Sequence, residues 1–337
     1  MRQKNLTRRE FLETAAGATA LVALAGCATQ ARIVTLGQDA APGVARLEIS
    51  RPSRFTILQF TDLHFFAEDK GKYGLLNDTT VNNMRKLVAL TKPDLLIVTG
   101  DLWRDNPPER LEEFMRYAVD QCASLGVPWA FTWGNHDQLK DYRVGHKALA
   151  EARNSLYRGA GSDGNYVIDI VGPHGRVVWE ILCINSHVDG IGGPEQQWLR
   201  KLAERSGKQL PPRFAFFHIP LKQYVDIWNS GMATGIKGED PCIEKEDGSS
   251  LPILKSLGVR ACFVGHDHVN DYWGVIDGVD LVYGRATGMG GYGGTVLPKG
   301  AKLITVNCRT GRYEWRTLLL DGKRWRPAPG ERIEVMQ

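Results

Sequence analysis

Leu95-Leu96-Ile97-Val98-Thr99-Gly100-Asp101 joins an unbroken apolar run to a glycine and a carboxylate. Such a run suits a strand covered on both faces, and that in turn calls for a layered α/β domain. Two neighbours repeat the pattern. Phe55-Thr56-Ile57-Leu58-Gln59-Phe60 precedes Asp62-Leu63-His64, and Trp129-Ala130-Phe131-Thr132-Trp133 runs into Gly134-Asn135-His136-Asp137. Between them, Val81 to Leu90 and Leu111 to Ala123 carry apolar residues at helical spacing.

The second half has more strand. Tyr166 to Val171 and Val177 to Ile184 read as a pair joined at Gly172-Pro173-His174-Gly175, and Pro194 opens a helix that runs to about Arg205. Phe214 to Phe217 and Ala261 to Val264 are further buried strands. The first delivers His218, and the second ends in Gly265-His266-Asp267-His268. From Asp271 onward short alternating runs dominate, such as Leu303 to Val306 and Tyr313 to Leu318. The expected fold is α/β with two packed sheets, residues 52–337 forming one domain whose strand ends carry the chemistry.

The chain has 337 residues, 43% hydrophobic and 24% charged, ordinary values for a soluble enzyme. Half of the net charge of +4 lies before Cys27, where Arg2, Lys4, Arg8 and Arg9 face only Glu10 and Glu13. The remainder is too near neutral for a dense basic face, so no nucleic-acid partner is expected. Thr7-Arg8-Arg9-Glu10-Phe11-Leu12 has the twin-arginine pattern, followed by an alanine-rich apolar stretch from Thr14 to Gly26. That stretch is short for a bilayer span. It ends in Leu24-Ala25-Gly26-Cys27, which resembles a bacterial lipobox. The expectation is a signal peptide over residues 1–26, lipidation of Cys27 and a tether over residues 27–51. The protein would then pass the twin-arginine export machinery into the cell envelope or periplasm and stay membrane-anchored through its N-terminal lipid. The other cysteines, Cys122, Cys183, Cys242, Cys262 and Cys308, form no C-x-x-C pair and indicate neither zinc ribbon nor disulfide scaffold.

Carboxylates, imidazoles and one amide oxygen thus gather where strands end. This donor mixture suits first-row ions such as Zn, Mn or Fe better than Ca or Mg. One-residue spacing in Asp62-x-His64 and His266-x-His268 has a reason: alternate side chains leaving a strand point the same way.

The ordered set D-x-H, G-D, G-N-H-D, H and G-H-x-H resembles the calcineurin-like metallophosphoesterase superfamily, over about two-thirds of the chain from Asp62 to His268. Phe217-His218-Ile219-Pro220, Gly265 to Asp271 and the glycine-rich Gly288 to Gly294 look like the purple-acid-phosphatase-related branch. The resemblance implies a four-layer α-β-β-α sandwich of two mixed sheets, with a dimetal site in the loops at the strand carboxyl ends. It implies two divalent or trivalent ions (Fe, Mn or Zn). Asp62, His64 and His268 would hold the first, Asn135, His218 and His266 the second, and Asp101 would bridge them. A metal-bridging hydroxide would attack phosphorus in line, making the protein a phosphomonoesterase or phosphodiesterase of a small phosphate-ester substrate. His136 would contact the phosphoryl group or protonate the leaving oxygen, with Asp137 orienting it or supporting the site from behind the ligands, and Asn135 near the substrate. Where true purple acid phosphatases carry a tyrosinate ligand, this chain has Arg104, which cannot ligate iron and is a candidate phosphate contact.

Two other classes of answer stay open at this point. One is a lipid-anchored metal- or phosphate-binding protein with little turnover; the other is a nuclease or nucleotidase of the same fold. His187, His146 and His174 are expected to stand outside the chemistry. Tyr292, Trp103, Tyr73 and Lys222 are open between pocket lining and packing, and Gly288 to Gly294 between a flexible rim and tight turns.

Overall fold

Every residue of Phe55–Phe60, Leu95–Thr99 and Trp129–Thr132 is buried, as strands covered on both faces must be. The computed structural model describes residues 31–33, 42–68, 70–205, 207 and 210–335. These three strands are parallel neighbours, so their carboxyl ends share one edge. Gly300–Asn307 pairs antiparallel on the other side of Phe55–Phe60, and Arg312–Leu319 and Arg324–Trp325 complete a six-stranded mixed sheet.

The other sheet has ten strands in the described residues. Its centre, Val177–Cys183, Arg213–Phe216, Val259–Val264 and Val279–Tyr283, is parallel. Side chains there alternate between two cores. Ile181, Phe214, Phe216, Ala261 and Phe263 join the core shared with the six-stranded sheet. Leu182, Ala215, Phe217, Cys262 and Val264 pack instead with Leu199, Tyr224, Ile227 and Leu254 from the helices Gly193–Arg205, Lys222–Asn229 and Ser250–Ser256. Helices Gly71–Thr91, Leu111–Ser124 and Tyr142–Glu151 cover the six-stranded sheet. The result is the expected four-layer sandwich of two mixed sheets. A buried ion cluster joins the sheets: Asp271 accepts Lys302 Nζ at 2.5 Å and Thr317 Oγ1 at 2.6 Å from the six-stranded sheet, with Arg285 Nε at 2.8 Å.

Two expectations need correction, and one helix was not expected. The first helix begins at Gly71, ten residues before the apolar spacing becomes regular. Tyr142–Glu151 is a helix that apolar spacing does not announce; Asp141 caps it by accepting the Arg143 N–H. Two segments of the stretch expected as a tether are folded as strands, Ala31–Ile33 and Val44–Ile49. In Val44–Ile49 the small apolar residues alternate, burying Ala45, Leu47 and Ile49 as the strand pairs parallel to Tyr166–Val171, and Ala31–Ile33 pairs outside it. The leader over residues 1–26 and Cys27 lie outside the described residues. No described helix is long and apolar enough to cross a membrane.

Candidate metal centre

Backbone bonds carry the parallel register past the strand ends. Asp62 N–H donates to Gly100 O at 3.2 Å, His64 N–H to Asp101 O at 2.9 Å and Phe65 N–H to Leu102 O at 3.0 Å. Along this zipper Asp62, His64 and Asp101 adopt left-handed φ of 55°, 48° and 52°, and His266 does so at 76° on the opposing sheet. Non-glycine residues held this way cost of order 1–3 kcal/mol each and cluster at functional sites. Gly100, at φ 75°, has no room for a side chain, because a Cβ there would overlap the His218 ring.

The side chains form two groups that share one atom. In the first, His64 Nε2 lies 3.1 Å from His268 Nε2 and 3.5 Å from Asp101 Oδ2, and His268 Nε2 lies 3.3 Å from Asp62 Oδ1. In the second, His218 Nε2 lies 3.3 Å from the same Asp101 Oδ2, 3.0 Å from Asn135 Oδ1 and 3.2 Å from His266 Nδ1. All seven sequence-predicted donors are therefore brought together. His218 Nδ1 donates to Thr99 O at 2.8 Å, and His268 Nδ1 faces Tyr292 O at 3.3 Å. Those outer bonds leave the Nε2 lone pairs pointing inward.

The arrangement fits cations on its own terms. Both carboxylate oxygens of Asp62 are buried without a hydrogen-bond donor. Acceptors that face acceptors in a dry site are stable only around positive charge. The titration directions agree. Burial pushes Asp62 and Asp101 upward, yet His268 for the one and His218 for the other outweigh it and hold both carboxyls below the usual range. Burial opposes charge on His218, but Asp101 and Asp62 raise that imidazole to about 10, showing how strongly they favour a cation there. His266 is pushed down to about 4 by burial and then by His218.

Of the two roles open to Asp137, the structure favours support from behind the ligands. Its carboxylate does not orient the His136 ring; it accepts the backbone N–H groups of Asp101, Leu102, Trp103 and Gly134 at 2.7–3.1 Å and so ties two site loops together. The residue beside His136 is Asp105, whose Oδ2 lies 3.1 Å from Nδ1. Only the fold shows this, since no motif marks Asp105. The His136 ring stands edge-on to His64 at 5.2 Å, and the His136 backbone N–H donates to Asp101 Oδ1 at 2.9 Å. Arg104 lies over the Phe66 ring at 5.6 Å with Nε unpartnered, and no carboxylate among the described residues pairs with it.

Gly288 to Gly294 forms a strap against the first group, where a Cβ at Gly291 would overlap His268. Tyr292 belongs to the site, its ring stacked on His268 at 4.0 Å. Trp103 is buried core, Tyr73 stacks on Phe66, and Lys222 pairs with Asp226. His187 Nε2 lies 3.2 Å from Asp163 Oδ2 and 3.3 Å from Glu195 Oε1, a set that resembles a metal nest. Asn185 decides otherwise. Its Oδ1 accepts the His187 N–H and its Nδ2 donates to Asp163 O, so Nδ2 faces His187 Nδ1 at 3.2 Å. The ring hydrogen then sits on Nε2 between two carboxylates, and the cluster anchors loops.

An α/β sandwich with paired Asp/His groups at its strand ends defines a class of metal-dependent hydrolases. The chain belongs to the Calcineurin-like phosphoesterase family, which it matches over residues 55–270. Among its relatives is an Arabidopsis thaliana protein named probable inactive purple acid phosphatase 28, 26% identical over 312 residues that cover 79% of this chain and 78% of that protein. Phosphatase DCR2 of Saccharomyces cerevisiae is 26% identical over 275 residues, 68% of this chain and 46% of that one. The purple acid phosphatase PPD1 from yellow lupin seeds shares the fold, with a TM-score of 0.50 and 13% identity over 83% of this chain and 55% of that structure. Family and donor sets together indicate two metal ions.

Proposed function

We propose that the protein is a working dinuclear phosphoric ester hydrolase acting on a small phosphomonoester or phosphodiester. The observation that carries this reading is the shared Asp101 Oδ2, within 3.5 Å of His64 Nε2 and 3.3 Å of His218 Nε2. Asp62, His64 and His268 would hold one ion, Asn135, His218 and His266 the other, with Asp101 between them, and the mixture of donors fits Fe, Mn or Zn. Bound there, the pair supplies an acidified water for in-line attack and positive charge opposite the phosphoryl oxygens.

The chain's own groups do the rest. Asp105 Oδ2 lies 3.1 Å from His136 Nδ1, and a carboxylate there favours a hydrogen on that nitrogen, leaving Nε2 to hydrogen-bond a phosphoryl oxygen or protonate the leaving oxygen. Arg104 pairs with no carboxylate among the described residues and is suited to a second phosphoryl oxygen. Asp137 keeps the Gly100 and Gly134 loops in register, so that Asp101 and Asn135 meet. The twin-arginine pattern and the Leu24-Ala25-Gly26-Cys27 stretch support a location in the cell envelope, with Cys27 lipid-anchored after export.

A panel of aryl phosphate, aryl phosphodiester and nucleotides, run with Mn-, Zn- or Fe-loaded protein, tests the reading. Hydrolysis of at least one ester that depends on the loaded metal is expected. Protein that binds two ions per chain and cleaves none of the panel would point to the binding role instead.

A further inference from the structure

Tyr292 holds His268 from three directions at once. Its ring lies flat on the imidazole, with centroids 4.0 Å apart and an interplanar angle of 11°. Its carbonyl faces His268 Nδ1 at 3.3 Å, and its hydroxyl lies 3.4 Å from the His268 backbone N–H. The same hydroxyl reaches Glu239 Oε1 at 2.8 Å and Oε2 at 2.9 Å, and Glu239 Oε1 also takes the Val269 N–H at 3.2 Å. Lys299 Nζ donates to the Tyr292 carbonyl at 2.6 Å. Beyond Tyr292 the strap is fastened by Gly288 N–H to Asp62 O at 3.2 Å and Met289 N–H to Thr80 Oγ1 at 2.9 Å. Glycines flank the tyrosine at 290, 291, 293 and 294, so its own contacts set where the ring lies.

We infer that Tyr292 and Glu239 form a latch that governs how tightly the His64–Asp62–His268 group keeps its ion, while the His218 group lies outside its reach. The inference rests on the dinuclear reading. The physical reason is that a histidine ligates well only when its ring plane and hydrogen position are fixed from outside, and Tyr292 supplies both. Half of the tyrosine is exposed, 51%, so the latch can open without unfolding the core. Tyr292→Phe keeps the ring and carbonyl but cuts the tie to Glu239. Glu239→Gln keeps an oxygen that accepts the hydroxyl, whereas Glu239→Ala does not.

The test follows zinc release from fully loaded protein into excess chelator, with thermal melts confirming that each variant is folded. Wild-type protein is expected to hold two zinc ions per chain and to release them in two phases. Tyr292→Phe and Glu239→Ala are expected to speed one phase by about 10-fold and leave the other in place, and Glu239→Gln to restore most of the difference. Release unchanged in both phases, or both phases accelerated alike, overturns the latch while leaving the dinuclear centre standing. Fewer than two ions on wild-type protein removes the dinuclear reading itself, and the latch with it.

Discussion

Gly291 carries no side chain because a Cβ there would run into Cε1 and Nδ1 of His268. Gly291→Ala is therefore expected to push that ligand aside and lower the metal content from two ions per chain toward one; metal analysis showing two ions held as firmly as in wild type would contradict this. Asp101 and His136 separate holding from turning over. Asp101→Ala should lose both ions and all hydrolysis, whereas His136→Ala should keep both ions while kcat falls by about 10²–10⁴. Equal metal loss in the two variants would place His136 among the metal-holding groups. The seven donors were legible through the resemblance carried by the ordered D-x-H, G-D, G-N-H-D, H and G-H-x-H set, whose blocks follow strand runs and whose alternate residues face one way. Asp105, Glu239 and the grip of Tyr292 were not legible, since each acts on a residue brought near only by the fold. Which of its two open roles Asp137 takes was hidden for a related reason: its place beside His136 in sequence says nothing about which backbone groups its carboxylate meets.

At the scale of elements, buried parallel strands write themselves into sequence as unbroken apolar runs, and all of those expected are found. What escaped was edge and cap structure. Val44–Ile49 uses small and long residues in alternation, with Arg46 and Glu48 on the other face, and so looks like polar linker until Tyr166–Val171 is there to pair with it. The Asp271 cluster shows what holds the two sheets in the relation that the centre needs. Burial raises the Asp271 carboxyl, but Lys302 and Arg285 outweigh it and hold the group below its ordinary 3.8. A carboxyl depressed in the folded state stabilises above its unfolded pKa, and that stabilisation is lost as pH falls through the folded value. Urea unfolding should thus show stability declining below about pH 4, with a shallower decline in Asp271→Asn. At neutral pH Asp271→Ala strands two buried cations and is expected to cost about 3–5 kcal/mol. A loss under about 1 kcal/mol would mean that packing alone joins the sheets.

For the molecule as a whole, two sheets deliver ligands to one point from opposite sides: Asp62, His64, Asp101 and Asn135 from the six-stranded sheet, and His218, His266 and His268 from the ten-stranded one. The centre therefore exists only when the sandwich is closed, and metal removal should lower thermal stability, because ions bound to the folded state alone stabilise it by mass action. The proposed twin-arginine leader would export the protein already folded and metal-loaded. Cys27→Ser is expected to abolish incorporation of a labelled fatty acid and to release the protein from membranes; equal labelling in both forms would exclude the anchor. The most direct measurement is anomalous diffraction from crystals of manganese-loaded protein. The account predicts two peaks about 3.5–4 Å apart, on either side of the Asp101 carboxylate. A single peak, or peaks away from Asp101, would contradict it.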